Sequence, residues 1–286
     1  MKILLTGGGG FLGGFLIPQL LDAGHSIIAL SRLARSSGRK NLTWVEMDLA
    51  SGIDVDVLPQ SIDGVIHLAQ SPEYRNGPGG EPHVLKVNVV AYAQLLKYAE
   101  KAGASRFVTA STGSVYEPFT GDMREDSLPT PTGFYGSSKL AAEALSHAYT
   151  GRMSICNLRV FFLFGPGQKN SFIARLVDAV RNSEAVTLPA NGEGLVFVPT
   201  LAKNTAHVFK TALEEKWIGT YNVASPQAIS VKSLAEEIGK AFNKKVIFER
   251  NEQSSPTPII PPLNKLAGIY NLKQFTSIAD SLKTYS

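Results

Sequence analysis

The chain has 286 residues, 44% of them apolar and 18% charged, and its 28 basic residues against 24 acidic ones leave a net charge of +4. That size and apolar share suit a globular protein with a real core, and the scattered lysines and arginines give no footprint for nucleic acid or an anionic membrane. A single cysteine, Cys156, excludes a disulfide framework and a thiolate metal cluster and points to a reducing cytoplasm, while no run of eighteen apolar residues offers a membrane span.

KILLT reads as a strand and GGFLIPQLLDAG as a helix that stops at Gly24. HSIIAL, NLTWVEMD and GVIHLA follow as strands. EPHVLKVNVVAYAQLLKYAEKAG is apolar at helical spacing and stops at Gly103. RFVTAS is a strand, YGSSKLAAEALSHAY a helix and SICNLRVFFLF another strand. This alternation predicts a doubly wound, Rossmann-type α/β fold, a parallel sheet with helices on both faces. Beyond it, NSFIARLVDAVRN and VKSLAEEIGKAF read as helices and TYNVAS and KVIFER as strands, with proline-rich SSPTPIIPPLN as an ordered surface loop. The expected division is a dinucleotide-binding domain over 1–164 and a smaller, mixed α/β substrate lobe over 165–286. Some segments of that lobe should pack back on the first domain.

The stretch TGGGGFLGG follows the first strand and opens the first helix. Gly7, Gly10 and Gly13 are spaced G-x-x-G-x-x-G, with Thr6 in front and Phe11 and Leu12 inside the repeat. Without side chains the backbone can approach a pyrophosphate, and the helix start offers free N–H groups and partial positive charge. An NAD enzyme usually places Asp or Glu at the end of the second strand, on the adenosine ribose. Here that position reads Ser31–Arg32, with Arg35 following. A guanidinium and a hydroxyl can hold a 2′-phosphate that a carboxylate would repel, so NADP is expected over NAD. Asp48, with Leu49 beside it, is placed to meet the adenine.

Tyr135 and Lys139 stand four apart, on one face of a helix. A neighbouring ammonium stabilises a phenolate and so makes a phenol a usable proton donor and acceptor near neutral pH. Lys139 can also hydrogen-bond the nicotinamide ribose. The hydroxyls of STGSVY, directly after a strand, supply a group to polarise a substrate oxygen.

Taken together, TGGGGFLG, HLAQ at 67–70, VNVV at 87–90, FVTASTGSVY, YGSSKLAAE, LRVFFLFGPGQ and the C-terminal LNKLAGIYNLKQF resemble the extended short-chain dehydrogenase/reductases, the group of nucleotide-sugar epimerases, dehydratases and ketoreductases. The resemblance implies Tyr135 as acid/base, Lys139 as its partner and Thr112 as the third catalytic residue, with Ser111 the alternative. It puts His67, Leu68, Ala69 and Gln70 at the end of the fourth strand along the cofactor, with no metal role for His67. Asn88 falls on the helix that braces the site, and Phe162, with its neighbours Phe161 and Leu163, approaches the nicotinamide through the backbone. It also implies a homodimer formed through the helices over 84–101 and 135–149.

Three departures bear on the substrate. Dehydratases carry an Asp–Glu pair where this chain has Gly113 and Ser114. Many epimerases have Asn where Phe162 stands, and the usual arginine and Asp–Asp pair give way to Pro199 and Thr200. Lys169, Arg175 and Lys203 are the remaining cationic candidates for a substrate diphosphate. The expected activity is NADPH-dependent reduction of a carbonyl on a nucleotide-linked 4-keto-6-deoxy sugar. The alternatives are a nucleotide-sugar 4-epimerase that retains its cofactor, a reductase of a non-nucleotide carbonyl, and a non-catalytic dinucleotide-binding protein.

Overall fold

The computed structural model describes residues 1–75, 79–119, 122–169 and 171–285. In chain order the elements are β1 (Lys2–Thr6), α1 (Phe11–Asp22), β2 (Ser26–Ser31), β3 (Leu42–Glu46), β4 (Gly64–His67), α2 (Glu81–Leu85), α3 (Ala91–Lys101), β5 (Arg106–Thr112), α4 (Phe134–His147) and β6 (Ser154–Val160). The second half adds β7 (Leu163–Phe164), α5 (Phe172–Arg181), β8 (Ala185–Leu188), β9 (Val196–Phe197), β10 (Thr200–Leu201), α6 (Ala202–Glu214), β11 (Gly219–Val223), β12 (Ile229–Ser230), α7 (Val231–Phe242), β13 (Ile247–Arg250), α8 (Asn264–Ala267) and α9 (Ile278–Leu282).

Seven strands form one sheet in the order β11-β6-β5-β4-β1-β2-β3, and the pairings from β3 across to β6 are parallel. The expected Rossmann-type sheet is therefore present. Ile3, Leu4 and Leu5 are all fully buried, as strands covered on both faces require. On one face Leu4, Ile28, Val65 and Phe107 pack with Tyr92, Leu95, Leu96 and Ala99 of α3. The strand order reverses between β1 and β4, where Thr6 lies in register with His67. In open α/β sheets the carboxyl ends of the strands at such a switch point form the ligand crevice.

The chain divides into two compact units, the first made of 1–118, 125–160 and 206–221, the second of 119–124, 161–205 and 222–286. The chain leaves the first unit at Val160–Phe161 and re-enters it from Ala206 to Tyr221. The second unit has its own core, in which Ile173, Val177 and Val180 of α5 meet Leu234, Ala235 and Ile238 of α7, with Phe164, Phe197 and Leu282. Among the described residues no helix is long and apolar enough to cross a membrane.

Two readings of local structure need correction. The helix expected over residues 81–103 is interrupted by a wide π-helical turn at Lys86–Val90. Its cause lies in Asn88, whose side chain is drawn into bonds with Ser71 and Ser138. The strand expected through SICNLRVFFLF ends at Val160. Phe162 takes φ +38°, a left-handed conformation that costs a bulky residue on the order of 1–2 kcal/mol. It is held by Thr200 N–H donating to its carbonyl at 3.0 Å and by its ring against Phe197 at 4.8 Å.

Candidate active site

The glycine loop joins β1 to α1 at the switch point. Gly7 sits at φ +69°, and a Cβ there would lie 2.7 Å from the backbone nitrogen of Ala69. A Cβ on Gly13 would collide with the carbonyl oxygen of Gly8 and stand 2.7 Å from that of Gly7. Gly10 N–H donates to Gly7 O at 2.9 Å, closing the turn. Helix α1 has no side-chain cap and no acid in its first turn, so its leading N–H groups and its dipole meet no competing carboxylate there. A bare cradle at an uncapped helix start fits the diphosphate of a dinucleotide. Leu12 is buried, and the Phe11 ring lies edge-on to Phe15 at 5.4 Å.

At the end of β2 the Ser31 hydroxyl accepts from Arg35 Nε at 3.2 Å and from Leu33 N–H at 3.3 Å. The Arg35 guanidinium lies 5.2 Å from the centre of the Trp44 ring and donates to Gly9 O at 3.4 Å. It thus reaches from the second strand back to the glycine loop. Arg32 is exposed beside it. Asp48 caps the turn Leu49–Ser51 by accepting from Ala50 N–H at 3.1 Å, which fixes its carboxylate, and Leu49 is buried below it. Trp44 carries no motif, and its hold on Arg35 is visible only once β2 and β3 are paired.

Buried at the end of β4, His67 has its Nδ1 at 2.8 Å from Thr6 Oγ1. That hydroxyl also accepts from Ala69 N–H at 3.3 Å, so Thr6 ties the end of β1 to the end of β4 and to the residue after next. Burial, and next the Lys139 charge, push the His67 pKa down to about 3. The ring is a neutral structural member of the switch point.

Helix α4 supplies the Tyr–Lys pair. Its start is drawn tight to the end of β5, since a Cβ on Gly136 would collide with Ser114 O. The Tyr135 hydroxyl donates to Gln70 Oε1 at 2.8 Å, and its ring meets that of Tyr74 with centroids 4.6 Å apart. The structure therefore brings Tyr135 to the segment that follows the carboxyl end of β4, against Gln70. Lys139 is 3% exposed, donates to Ala110 O at 3.0 Å, and is pushed down to about 8 by burial, against the opposing pull of Glu143.

The two candidate hydroxyls at the end of β5 differ. Ser111 donates a short hydrogen bond to Glu143, which also forms a fully buried, two-point pair with Arg159 at 2.7 and 3.0 Å. Arg159 in turn donates to the Tyr116 hydroxyl at 2.5 Å. Thr112 is the last residue of the strand and accepts from Ser114 N–H at 3.1 Å, leaving its own hydrogen available to a substrate oxygen. The Ser111–Glu143–Arg159–Tyr116 network was not foreseen. Its one sequence signal is the placement of Glu143 one helical turn beyond Lys139. Phe162 lies in the second unit, where its carbonyl is engaged by Thr200.

Residues 3–224 match the NAD dependent epimerase/dehydratase family. The uncharacterized UDP-glucose epimerase YtcB of Bacillus subtilis (strain 168) is 27% identical over 99% of this chain and 96% of its own length. The UDP-glucose 4-epimerase of the same organism is 26% identical, over 87% of this chain and 84% of its own. Among solved structures, MoeE5 in complex with UDP-glucose and NAD is similar with a TM-score of 0.84 and 28% identity, covering 100% of this chain and 97% of that one. The UDP-N-acetylglucosamine 4-epimerase from Bacillus cereus is similar with a TM-score of 0.81 and 27% identity, covering 99% and 97%.

Proposed function

Since the chain belongs to the NAD-dependent epimerase/dehydratase family and is an enzyme of the extended short-chain dehydrogenase/reductase type, we propose that it is a nucleotide-sugar 4-epimerase acting on a UDP-hexose. The sequence offers this epimerase as an alternative to the reductase it expects, and the reductase is kept below as the second reading. The supporting observation is the end-to-end likeness to UDP-sugar epimerases, in a chain whose Tyr135 hydroxyl stands against Gln70, in the segment that follows β4.

A nicotinamide dinucleotide supplies reversible hydride transfer when bound. Gly7, Gly10, Phe11, Leu12 and Gly13 would hold its diphosphate, Ser31, Arg32 and Arg35 its adenosine ribose, and Asp48 and Leu49 its adenine. Leu68, Ala69, Gln70 and Lys139 would line the rest. Tyr135 Oη takes the proton of the sugar C4 hydroxyl as that carbon becomes a carbonyl, and returns it to the same oxygen when the carbon is reduced on its other face. Nothing is gained or lost overall, so the cofactor is reused. Lys139, with its pKa about 8, is mostly protonated at neutral pH and favours the phenolate this exchange passes through. Thr112 donates to the same oxygen and steadies its negative charge. Exposed Leu85, Val90 and Leu145, on α2, the π-turn and α4, support a homodimer through these helices.

A second reading rests on Ser31 and Arg35. A hydroxyl and a guanidinium there favour NADP, and with it net reduction of a nucleotide-linked 4-keto-6-deoxy sugar. Incubation with UDP-glucose, UDP-N-acetylglucosamine or UDP-glucuronic acid and oxidised cofactor should yield the C4 epimer with no net build-up of reduced cofactor. Tyr135→Phe should slow that conversion by about 10²–10⁴-fold. NADPH consumed stoichiometrically with a keto-sugar would move the assignment to the second reading, and inertness toward both would end it.

A further inference from the structure

We propose that Glu143 is a positioning residue whose carboxylate, held in place by Arg159 and Ser111, keeps the neighbouring Lys139 in its ammonium form. The proposal rests on the roles given to Tyr135 and Lys139 above.

Burying an ammonium or a carboxylate is costly unless the charge is answered. Lys139 and Glu143 stand four apart on α4, one helical turn from each other on the same face, and each is 3% exposed. Both reach β5 at consecutive residues: Lys139 Nζ donates to Ala110 O at 3.0 Å, and Ser111 Oγ donates to Glu143 Oε1. A backbone carbonyl gives the ammonium a hydrogen bond but no countercharge. Glu143 is secured from the next strand, where Arg159 Nε donates to Oε1 at 3.0 Å and Nη2 to Oε2 at 2.7 Å. Arg159 lies in register with Ser111, so both groups that hold the carboxylate come from one rung of the sheet. A guanidinium does not give up its proton, and its two-point grip keeps the carboxylate ionised inside the protein.

The other titratable and charged groups around this place are Tyr135 on α4, His67 at the end of β4, Tyr92 on α3, Tyr116 after β5 and Arg159 on β6, with Glu117 beside Gly133 ahead of α4. Burial keeps His67 uncharged and raises Tyr92 and Tyr116, so these three are neutral at neutral pH. Burial also pushes Lys139 down, and the pull that opposes it is the charge of Glu143. Without that carboxylate, burial would act on the ammonium unopposed. The Arg159 guanidinium would also be left unbalanced, and it disfavours a second cation nearby. Both consequences have the same sign, toward a neutral amine. A neutral Lys139 no longer favours the Tyr135 phenolate.

The test follows Lys139 itself, by a carbon-13 NMR pH titration of the full-length protein labelled at the lysine Cε, with the Lys139 signal identified by its loss in Lys139→Met. Glu143→Gln should lower the Lys139 midpoint by about 1 pH unit, the lower end of what a nearby opposite charge contributes. Breaking one half of a buried pair can prevent folding, whereas replacing both halves is often tolerated. The double variant Glu143→Gln with Arg159→Met should therefore fold and show a drop of the same sign. Arg159→Lys keeps the charge and loses the fork, so it should leave the midpoint near the parent value, as a role limited to packing would not. A midpoint that stays at the parent value in the double variant, or that falls as far in Arg159→Lys as in the variants without the carboxylate, overturns the proposal. The alkaline limb of the epimerisation profile should move down with the midpoint. A midpoint that falls while that limb stays put overturns instead the role given to Lys139, and leaves the hold of Glu143 on its charge standing.

Discussion

Two buried bases govern how the site answers pH. His67 is pushed down to about 3 and Lys139 to about 8, each chiefly by burial. In both cases the unfolded chain keeps a proton that the folded chain has released, so stability rises with pH across the window between the two values. For His67 that window runs from about 3 up to the ordinary 6.5, and for Lys139 from about 8 up to 10.5. The stability that neutral His67 confers is complete above 6.5 and is lost as pH falls. Urea unfolding at a series of pH values should show a loss approaching about 1.4 kcal/mol per pH unit below 6.5 that His67→Asn lacks. Lys139→Met should in the same way remove a rise between 8 and 10.5. Equal slopes in parent and His67→Asn would mean that the imidazole ionises freely in the folded chain.

Helix α1 shows two adjacent glycines with opposite duties. Gly13 has backbone oxygens where its Cβ would go, and Gly14 has nothing within 4 Å. Gly13→Ala must push the loop away from the helix start, and should cost the protein more than tenfold in dinucleotide affinity by calorimetry. Gly14→Ala should leave affinity alone and add roughly 0.5–1 kcal/mol to stability, as alanine replaces glycine inside a helix. Equal effects from the two would contradict the packing described. Elements like these were legible because their patterns are local. A short apolar run such as KILLT, cut off by glycine, marks a buried strand, and the Gly7–Gly13 spacing marks the turn. Tyr135 and Lys139 were legible for the same reason, lying four apart on one helix. Gln70 was read only as part of the cofactor wall, because its bond to Tyr135 spans 65 positions. The break at Phe162 was invisible for a related reason, since the bond that holds its carbonyl comes from Thr200. Helix α6 went unread because it starts at Ala202 directly after β10, with no capping Ser or Asp to announce it.

Across the whole molecule, the ligand is the largest adjustable term in stability. A dinucleotide that binds only the folded chain adds about 2.7 kcal/mol at a hundredfold excess over its dissociation constant. For a protein of this size each kcal/mol moves the melting temperature by roughly 2–4 °C. Protein stripped of nucleotide should therefore melt roughly 5–10 °C higher with saturating cofactor. Which cofactor does this better depends on one corner of the fold. Ser31 ends β2 with no carboxylate of its own, and Arg35 is held there by Ser31, Trp44 and the Gly9 carbonyl. A 2′-phosphate, as in NADP, would find a guanidinium partner at that corner, whereas NAD would offer it only hydroxyls. On the second reading NADP should give the larger shift at equal concentrations, and Arg35→Ala should erase most of the difference while leaving the NAD shift in place. A larger shift with NAD in the parent protein would show that Arg35 serves the resting loop alone, and would align this chain with the NAD-bound MoeE5 structure.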